Sequence, residues 1–223
     1  MLCGIIGYTG NKEAITRIID GLKKLEYRGY DSAGVAVLGR GGFVRHRAKG
    51  KLCELEKKIK NIEIKGTLGI GHTRWATHGR PSEENAHPHI DSAGKITVVH
   101  NGIIENYIEL REELKKKGYR FVSETDTEIF AHLISAGIKK GLYFAVAAAL
   151  KKVRGFFAIA VISSDEPDTI IAARNGSPLV AGIGKNENYA ASDVTSFLKY
   201  TKKALFFEDG DIAVIKKEGI DVY

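Results

Sequence analysis

The order of its segments predicts that this chain folds as an α+β domain with layered, mostly antiparallel sheets. Short β-branched runs open the chain, three helical stretches occupy its middle, and strands separated by turn residues fill it from Gly155 onward. Blocks of strands and helices in this order indicate segregated layers rather than alternating β-α units. Size is the second observation: 223 residues, 43% hydrophobic and 27% charged, suit one globular domain with a substantial core. Continuity is the third. No repeat, linker or low-complexity segment divides the sequence, so residues 1–223 are read as one domain.

The first strand is expected at Cys3 to Tyr8, where small and β-branched residues read as buried. A helix follows from Asn11-Lys12-Glu13, with Ile15, Ile18, Ile19, Leu22 and Leu25 on one face at helical spacing. Residues 25–34 form a polar, glycine-punctuated turn. Val35 to Leu38 then pairs with Phe43 to Arg47 as a hairpin across Gly39 to Gly42. Residues 51–60 read as a mostly exposed helix, and Gly66 to His72 as a buried strand. The run 73–89 has no periodicity, yet it holds the only tryptophan and three of the seven histidines. A long loop of that composition points to binding. Ile96 to His100 reads as a strand ending at Asn101-Gly102. A helix then runs from near Glu105 to a C-cap at Gly118, and a capping box of Thr125 with Glu128 opens a helix reaching about Lys140. Residues 143–153 are a third helix. Strands are expected at 156–163, 169–173, 178–182, 188–192, 203–207 and 211–216, with Asp165-Glu166-Pro167-Asp168 as one of the turns.

Composition excludes several classes. The N-terminus lacks a basic region followed by a long apolar run, so no signal peptide is read. The longest apolar run, Phe156 to Ile162, is too short to cross a bilayer, and the expected location is the cytoplasm. Two cysteines, Cys3 and Cys53, make no disulfide framework. The net charge of +7 comes from lysines scattered over helix faces with no aromatic-basic motif, which argues against nucleic acid. The absence of glutamine, a single methionine and abundant Lys and Glu lean toward a thermophilic source.

Several residues carry possible chemistry. Cys3 is either a small core residue or a nucleophile. If Met1 and Leu2 were removed, thiol and α-amino group would share one residue, and an amine of pKa roughly 7.7–8 suits a general base. Asn101-Gly102 is either a type I′ turn or an oxyanion hole built from a side-chain amide and a backbone N–H. Arg74 is either a surface cation or a bidentate partner for a substrate carboxylate. Asp126 either complements a helix dipole or pairs with a substrate ammonium. His72, His78, His87, His89 and His100 lack any metal-ligand spacing, so no metal is expected. Ser32 lacks a G-x-S-x-G frame, and Gly182-Ile183-Gly184-Lys185 lacks the third glycine of a dinucleotide loop, so no nucleotide or other cofactor is expected.

Together the motifs CGIIGY at 3–8, LEYRGYDSAG at 25–34, GHTRWATHGRPSEENAHPH at 71–89, VHNGIIENY at 99–107 and SETDTE at 123–128 resemble the class II (N-terminal nucleophile) glutamine amidotransferase family. Within it they are most similar to the glutaminase domains of glucosamine-6-phosphate synthases. RNGSPL at 174–179 and EDGD at 208–211 extend the match to essentially the whole chain. The resemblance implies a four-layer αββα sandwich of the N-terminal nucleophile hydrolase type. It also implies hydrolysis of the L-glutamine side-chain amide by Cys3 through a thioester. Asn101 and Gly102 would hold the oxyanion, and Arg28 would orient the nucleophilic residue. Arg74 would bind the glutamine carboxylate and Asp126 its amino group, while Trp75, Thr77 and His78 would belong to a loop that closes over substrate.

Two departures from the family pattern follow. Leu2 stands between Met1 and Cys3, where the family reads Met-Cys, so freeing the cysteine requires a native non-AUG start or loss of the dipeptide. If Met1-Leu2 stayed, the chain would be a non-catalytic glutamine-binding module acting through a partner. The family's enzyme also carries a sugar-phosphate isomerase half that receives the ammonia. That half is absent from this chain and is its expected partner, as a linked domain or a separate subunit.

Overall fold

The computed structural model describes residues 3–75 and 79–223. Along the chain run β1 (Gly4–Gly10), α1 (Ala14–Leu25), β2 (Ser32–Gly39), β3 (Gly42–Lys49), α2 (Leu52–Ile59), β4 (Leu68–Arg74), β5 (His89–Ile90) and β6 (Ile96–Ile104). Then come α3 (Tyr107–Lys116), α4 (Glu128–Gly137), α5 (Leu142–Leu150), β7 (Gly155–Ser163), β8 (Glu166–Asn175), β9 (Val180–Ile183) and β10 (Glu187–Ala191). Three short strands close it: β11 (Ala204–Phe206), β12 (Ile212–Ile215) and β13 (Ile220–Val222). One antiparallel sheet has the order β11-β9-β10-β1-β4-β2-β3, the other β13-β12-β8-β7-β6-β5.

The hydrophobic pattern of each element sets the stacking. Between the sheets lies a core of Ile5, Ile70, Val99, Ile162 and Ile170 interleaved with alanines such as Ala36, Ala160 and Ala190. The outer face of the first sheet buries Ile6 and Val35 against Ile18, Leu22 and Leu25 of α1 and Leu52 and Leu55 of α2. The outer face of the second buries Val98, Ile159 and Ile171 against α3, α4 and α5 through Leu110, Phe130 and Val146. Each fully buried side chain of this kind contributes about 1.5–3 kcal/mol. The layers are helix, sheet, sheet, helix. The α+β reading and the αββα arrangement both hold.

Four local expectations change. Asn101-Gly102 does not end its strand: β6 continues to Ile104, with Asn101 opposite Ala158 and Gly102 opposite Phe157. Gly102 sits at φ 149°, and a Cβ there would fall 1.9 Å from the Phe156 carbonyl oxygen. The dipeptide therefore serves a close strand approach and not a turn. Nor does the capping box form. The Glu128 carboxylate instead accepts from the N–H groups of Val122 (2.9 Å) and Ser123 (2.8 Å), while Thr125 Oγ1 meets His89 Nε2 at 3.0 Å. The turn expected at 165–168 is tighter, because Ser163 already pairs with Glu166. Strand β13, three residues long and too short for a periodic signal, was not expected.

Candidate active site

The register of β1 builds the centre of the site. Gly4 lies opposite Thr73 on β4, which sets Cys3 across from Arg74 and Trp75. Cys3 is buried. The Trp75 N–H donates to its Sγ at 3.2 Å, and Sγ lies 3.5 Å from the Trp75 carbonyl oxygen. Burial pushes the thiol pKa up, opposed by the Trp75 N–H and the Arg74 guanidinium. Two side chains hold the Cys3 carbonyl oxygen: Arg28 Nε donates at 3.2 Å and Asn101 Nδ2 at 2.9 Å. Arg28 is braced in turn, its Nη1 lying 3.7 Å from Asp193 Oδ2. The Tyr27 hydroxyl donates to the same Asp193 oxygen at 3.0 Å.

Asn101 arrives from the second sheet, so its bond to Cys3 crosses the interface between sheets. Its Nδ2 also donates to Ser192 Oγ (3.0 Å), and its Oδ1 lies 2.8 Å from His72 Nε2. Arg74 and Asp126 are both buried. Arg74 Nη2 donates to the Gly79 carbonyl at 3.1 Å, and Asp126 Oδ2 accepts from the Ile104 N–H at 2.8 Å. Burial draws the Arg74 pKa down, while Asp31, Cys3 and Asp126 pull the other way. Cys3, Arg74, Trp75, Gly102 and Asp126 line one pocket, completed by His72, His87, His100, Thr125 and Thr127. Arg28 and Asn101 touch Cys3 but are not among the lining residues. Trp75 is 47% exposed, its ring edge-on to Tyr30 at 5.2 Å. Thr77 and His78 lie outside the described residues.

Sequence reasoning named the histidines but missed how they pack together in and behind the pocket wall. His87 stacks on His72 at 4.1 Å and meets His89 edge-on at 4.9 Å. The His100 N–H donates to His87 Nδ1 (3.3 Å), and His100 Nδ1 lies 2.9 Å from Thr127 Oγ1. Burial pushes the His72 pKa down to about 3, and holds His87 and His89 well below the ordinary value. Among the described residues, no group of three or more His, Cys, Asp or Glu is arranged to hold a metal ion. The one available signal was the position of His72 and His100, each within two residues of a predicted site residue. Ser192, whose Oγ also accepts from the Ile5 N–H at 2.7 Å, gave no signal at all.

A family model described as a glutamine amidotransferase domain matches residues 72–199. Among curated proteins, the glutamine–fructose-6-phosphate aminotransferase (isomerizing) of Aquifex aeolicus (strain VF5) is 50% identical over 222 residues, covering 100% of this chain and 38% of that protein. Its namesake from Thermococcus kodakarensis is 54% identical over 220 residues, 97% of this chain and 36% of the relative. This chain therefore spans little more than a third of those relatives. Among solved structures, the Bacillus subtilis glutamine phosphoribosylpyrophosphate amidotransferase with ADP and GMP superposes with TM-score 0.84 at 26% identity, covering 99% of this chain and 49% of that one. A structure described as the allosteric regulatory enzyme of purine biosynthesis gives TM-score 0.87, also at 26% identity, with 99% and 48% covered. With the motifs, the αββα layering and a family model spanning more than half its length all in agreement, the chain belongs to the glutamine amidotransferase family.

Proposed function

We propose that this domain hydrolyses the side-chain amide of L-glutamine, with Cys3 as nucleophile. In the longer protein that its relatives represent, the ammonia would go to fructose 6-phosphate on a sugar-phosphate isomerase part. One observation carries the reading. A pinned cysteine opens onto a pocket holding a buried guanidinium and a buried carboxylate, Arg74 and Asp126. Those are complementary groups for the two charged ends of an α-amino acid, and a bidentate arginine suits its carboxylate.

The chemistry divides into two displacements. Sγ attacks the amide carbonyl carbon, and the thiol proton passes to the α-amino group of Cys3, which then protonates the departing nitrogen so that it leaves as ammonia. Water cleaves the resulting thioester, giving glutamate and restoring the thiol. A thiol whose pKa is raised by burial needs such a base. The amine must therefore be free, which requires loss of the residues ahead of Cys3. Arg28 orients the cysteine through its carbonyl oxygen. Gly102 N–H and Asn101 Nδ2 receive the tetrahedral oxyanion. Nδ2 bonds neutral oxygens of Cys3 and Ser192 at rest, and a full negative charge is a stronger acceptor than either.

The test is intact mass before and after an electrophilic glutamine analogue, with glutamate release measured in parallel. The expected result is a chain beginning at Cys3 that takes one adduct, with both adduct and turnover lost in Cys3→Ala. A processed chain that binds glutamine but neither reacts nor turns it over would overturn the reading.

A further inference from the structure

We infer that His72 is a positioning residue for the amidohydrolase site, holding the Asn101 amide in its donating orientation by giving it a hydrogen bond from the neutral Nε2–H tautomer. The inference rests on the proposed glutaminase reading for its consequence, but the tautomer follows from the hydrogen-bond geometry alone.

The orientation of an asparagine amide is fixed by what surrounds it. Here the Cys3 carbonyl oxygen lies 2.9 Å from one end of the Asn101 amide. A carbonyl oxygen only accepts, so that end must be Nδ2. Ser192 Oγ, 3.0 Å from the same nitrogen, already accepts from the Ile5 N–H and is compatible with a second donor. Oδ1 is then the end facing His72, 2.8 Å from its Nε2. An acceptor on one side requires a donor on the other, so the proton of His72 sits on Nε2. Nδ1 is left bare. Consistently, Nδ1 is buried with no partner at hydrogen-bond geometry among the described residues, the His100 backbone lies close enough to the ring to oppose weakly the effect of burial, and the ring face is stacked on His87 at 4.1 Å. The ring is 1% exposed, and its burial keeps it neutral far below physiological pH.

Donation to Oδ1 does two things for the oxyanion. It holds the amide plane, and it polarises the amide so that the Nδ2 hydrogens become stronger donors. Both effects grow when negative charge develops on the substrate, so they act on the transition state more than on bound glutamine.

Two measurements test this. In long-range 1H–15N spectra of the intact protein, His72 is expected to show a protonated Nε2 and a bare Nδ1, without titrating between pH 5 and 8. A proton on Nδ1 would overturn the inference whatever the enzyme does. In kinetics, His72→Leu, which donates nothing, is expected to lower kcat at least 10-fold while KM for glutamine stays within about threefold. His72→Gln, whose terminal amide nitrogen falls near the position of Nε2, is expected to recover most of that loss at similar thermal stability. Equal defects in the two folded variants, or a loss confined to KM, would overturn it. Wild-type protein beginning at Cys3 that turns over no glutamine would refute the glutaminase reading and leave the tautomer result standing.

Discussion

Replacing Asn101 by alanine separates two quantities that this side chain couples. Three hydrogen bonds disappear, at 2.8, 2.9 and 3.0 Å. Their former partners fare differently. The Cys3 carbonyl keeps Arg28 Nε, and Ser192 Oγ keeps the Ile5 N–H. His72 Nε2 loses the Asn101 oxygen that accepts from it, and one orphaned buried donor costs about 1–3 kcal/mol. The small cavity adds about 1 kcal/mol, so the expected stability loss is about 2–4 kcal/mol, which a domain of ordinary stability survives. Loss of an oxyanion donor should lower kcat by about 10²–10³. Urea unfolding gives the first number and glutamate release at saturating glutamine the second. A variant destabilised as expected whose kcat stays within threefold of wild type would refute the oxyanion assignment. A variant too unstable to fold would instead show that the three bonds had been undervalued.

Other substitutions and conditions probe the same site. Arg74→Lys keeps the charge but loses the planar fork; KM for glutamine should rise about 10–100-fold with kcat within a few-fold, and steady-state kinetics decide it. Gly102→Ala puts a Cβ 1.9 Å from the Phe156 oxygen at a positive φ, so β6 must shift from β7. Stability should fall by more than about 2 kcal/mol and activity with it, as calorimetry and turnover would report. Acid should destabilise the fold through its buried histidines. His72, His87 and His89 have folded pKa values depressed by burial, so below about pH 6.5 the unfolded chain binds protons that the folded chain refuses. Stability is complete above that pH and falls as pH drops, by up to about 1.4 kcal/mol per pH unit for each histidine. For His72 the loss ends near its folded value of about 3. An unfolding midpoint that stays constant from pH 7 to pH 5 would contradict this.

The sequence was most legible where periodicity is strong. The apolar stripe of α1 and the Gly39-to-Gly42 hairpin appear as the spacing predicts. It misled where tertiary contacts override local chemistry. Asn101-Gly102 is a hairpin signal in isolation, but pairing with β7 draws it into a continuous strand. Glu128 looked like a capping residue for Thr125 and instead ties down Val122 and Ser123. In the site, Cys3, Arg74, Trp75, Gly102 and Asp126 converge on one pocket. Arg28 and Asn101 stand against the Cys3 carbonyl oxygen beside it. Ser192 stayed hidden because its partner Ile5 is 187 positions away and one serine carries no pattern. The histidines were visible, but their packing against one another was not, because ring stacking leaves no mark on spacing.

The Cys3–Asn101 bond spans two sheets, and the layer that separates those sheets interleaves large side chains with small ones. The core between them includes seven alanines, and at Gly7 even a methyl group would come within 3.2 Å of Ile170 Cδ1. The gap therefore works as a spacer of fixed thickness, setting how far the strand of Cys3 stands from the strand that carries Asn101. A bulkier residue in place of one of those alanines would act as a wedge, tilting one sheet about the other and carrying the misalignment to the pocket through rigid, hydrogen-bonded strands. Under the proposed mechanism, catalytic rate becomes a gauge of interlayer spacing, sensitive to methyl groups that no substrate ever meets.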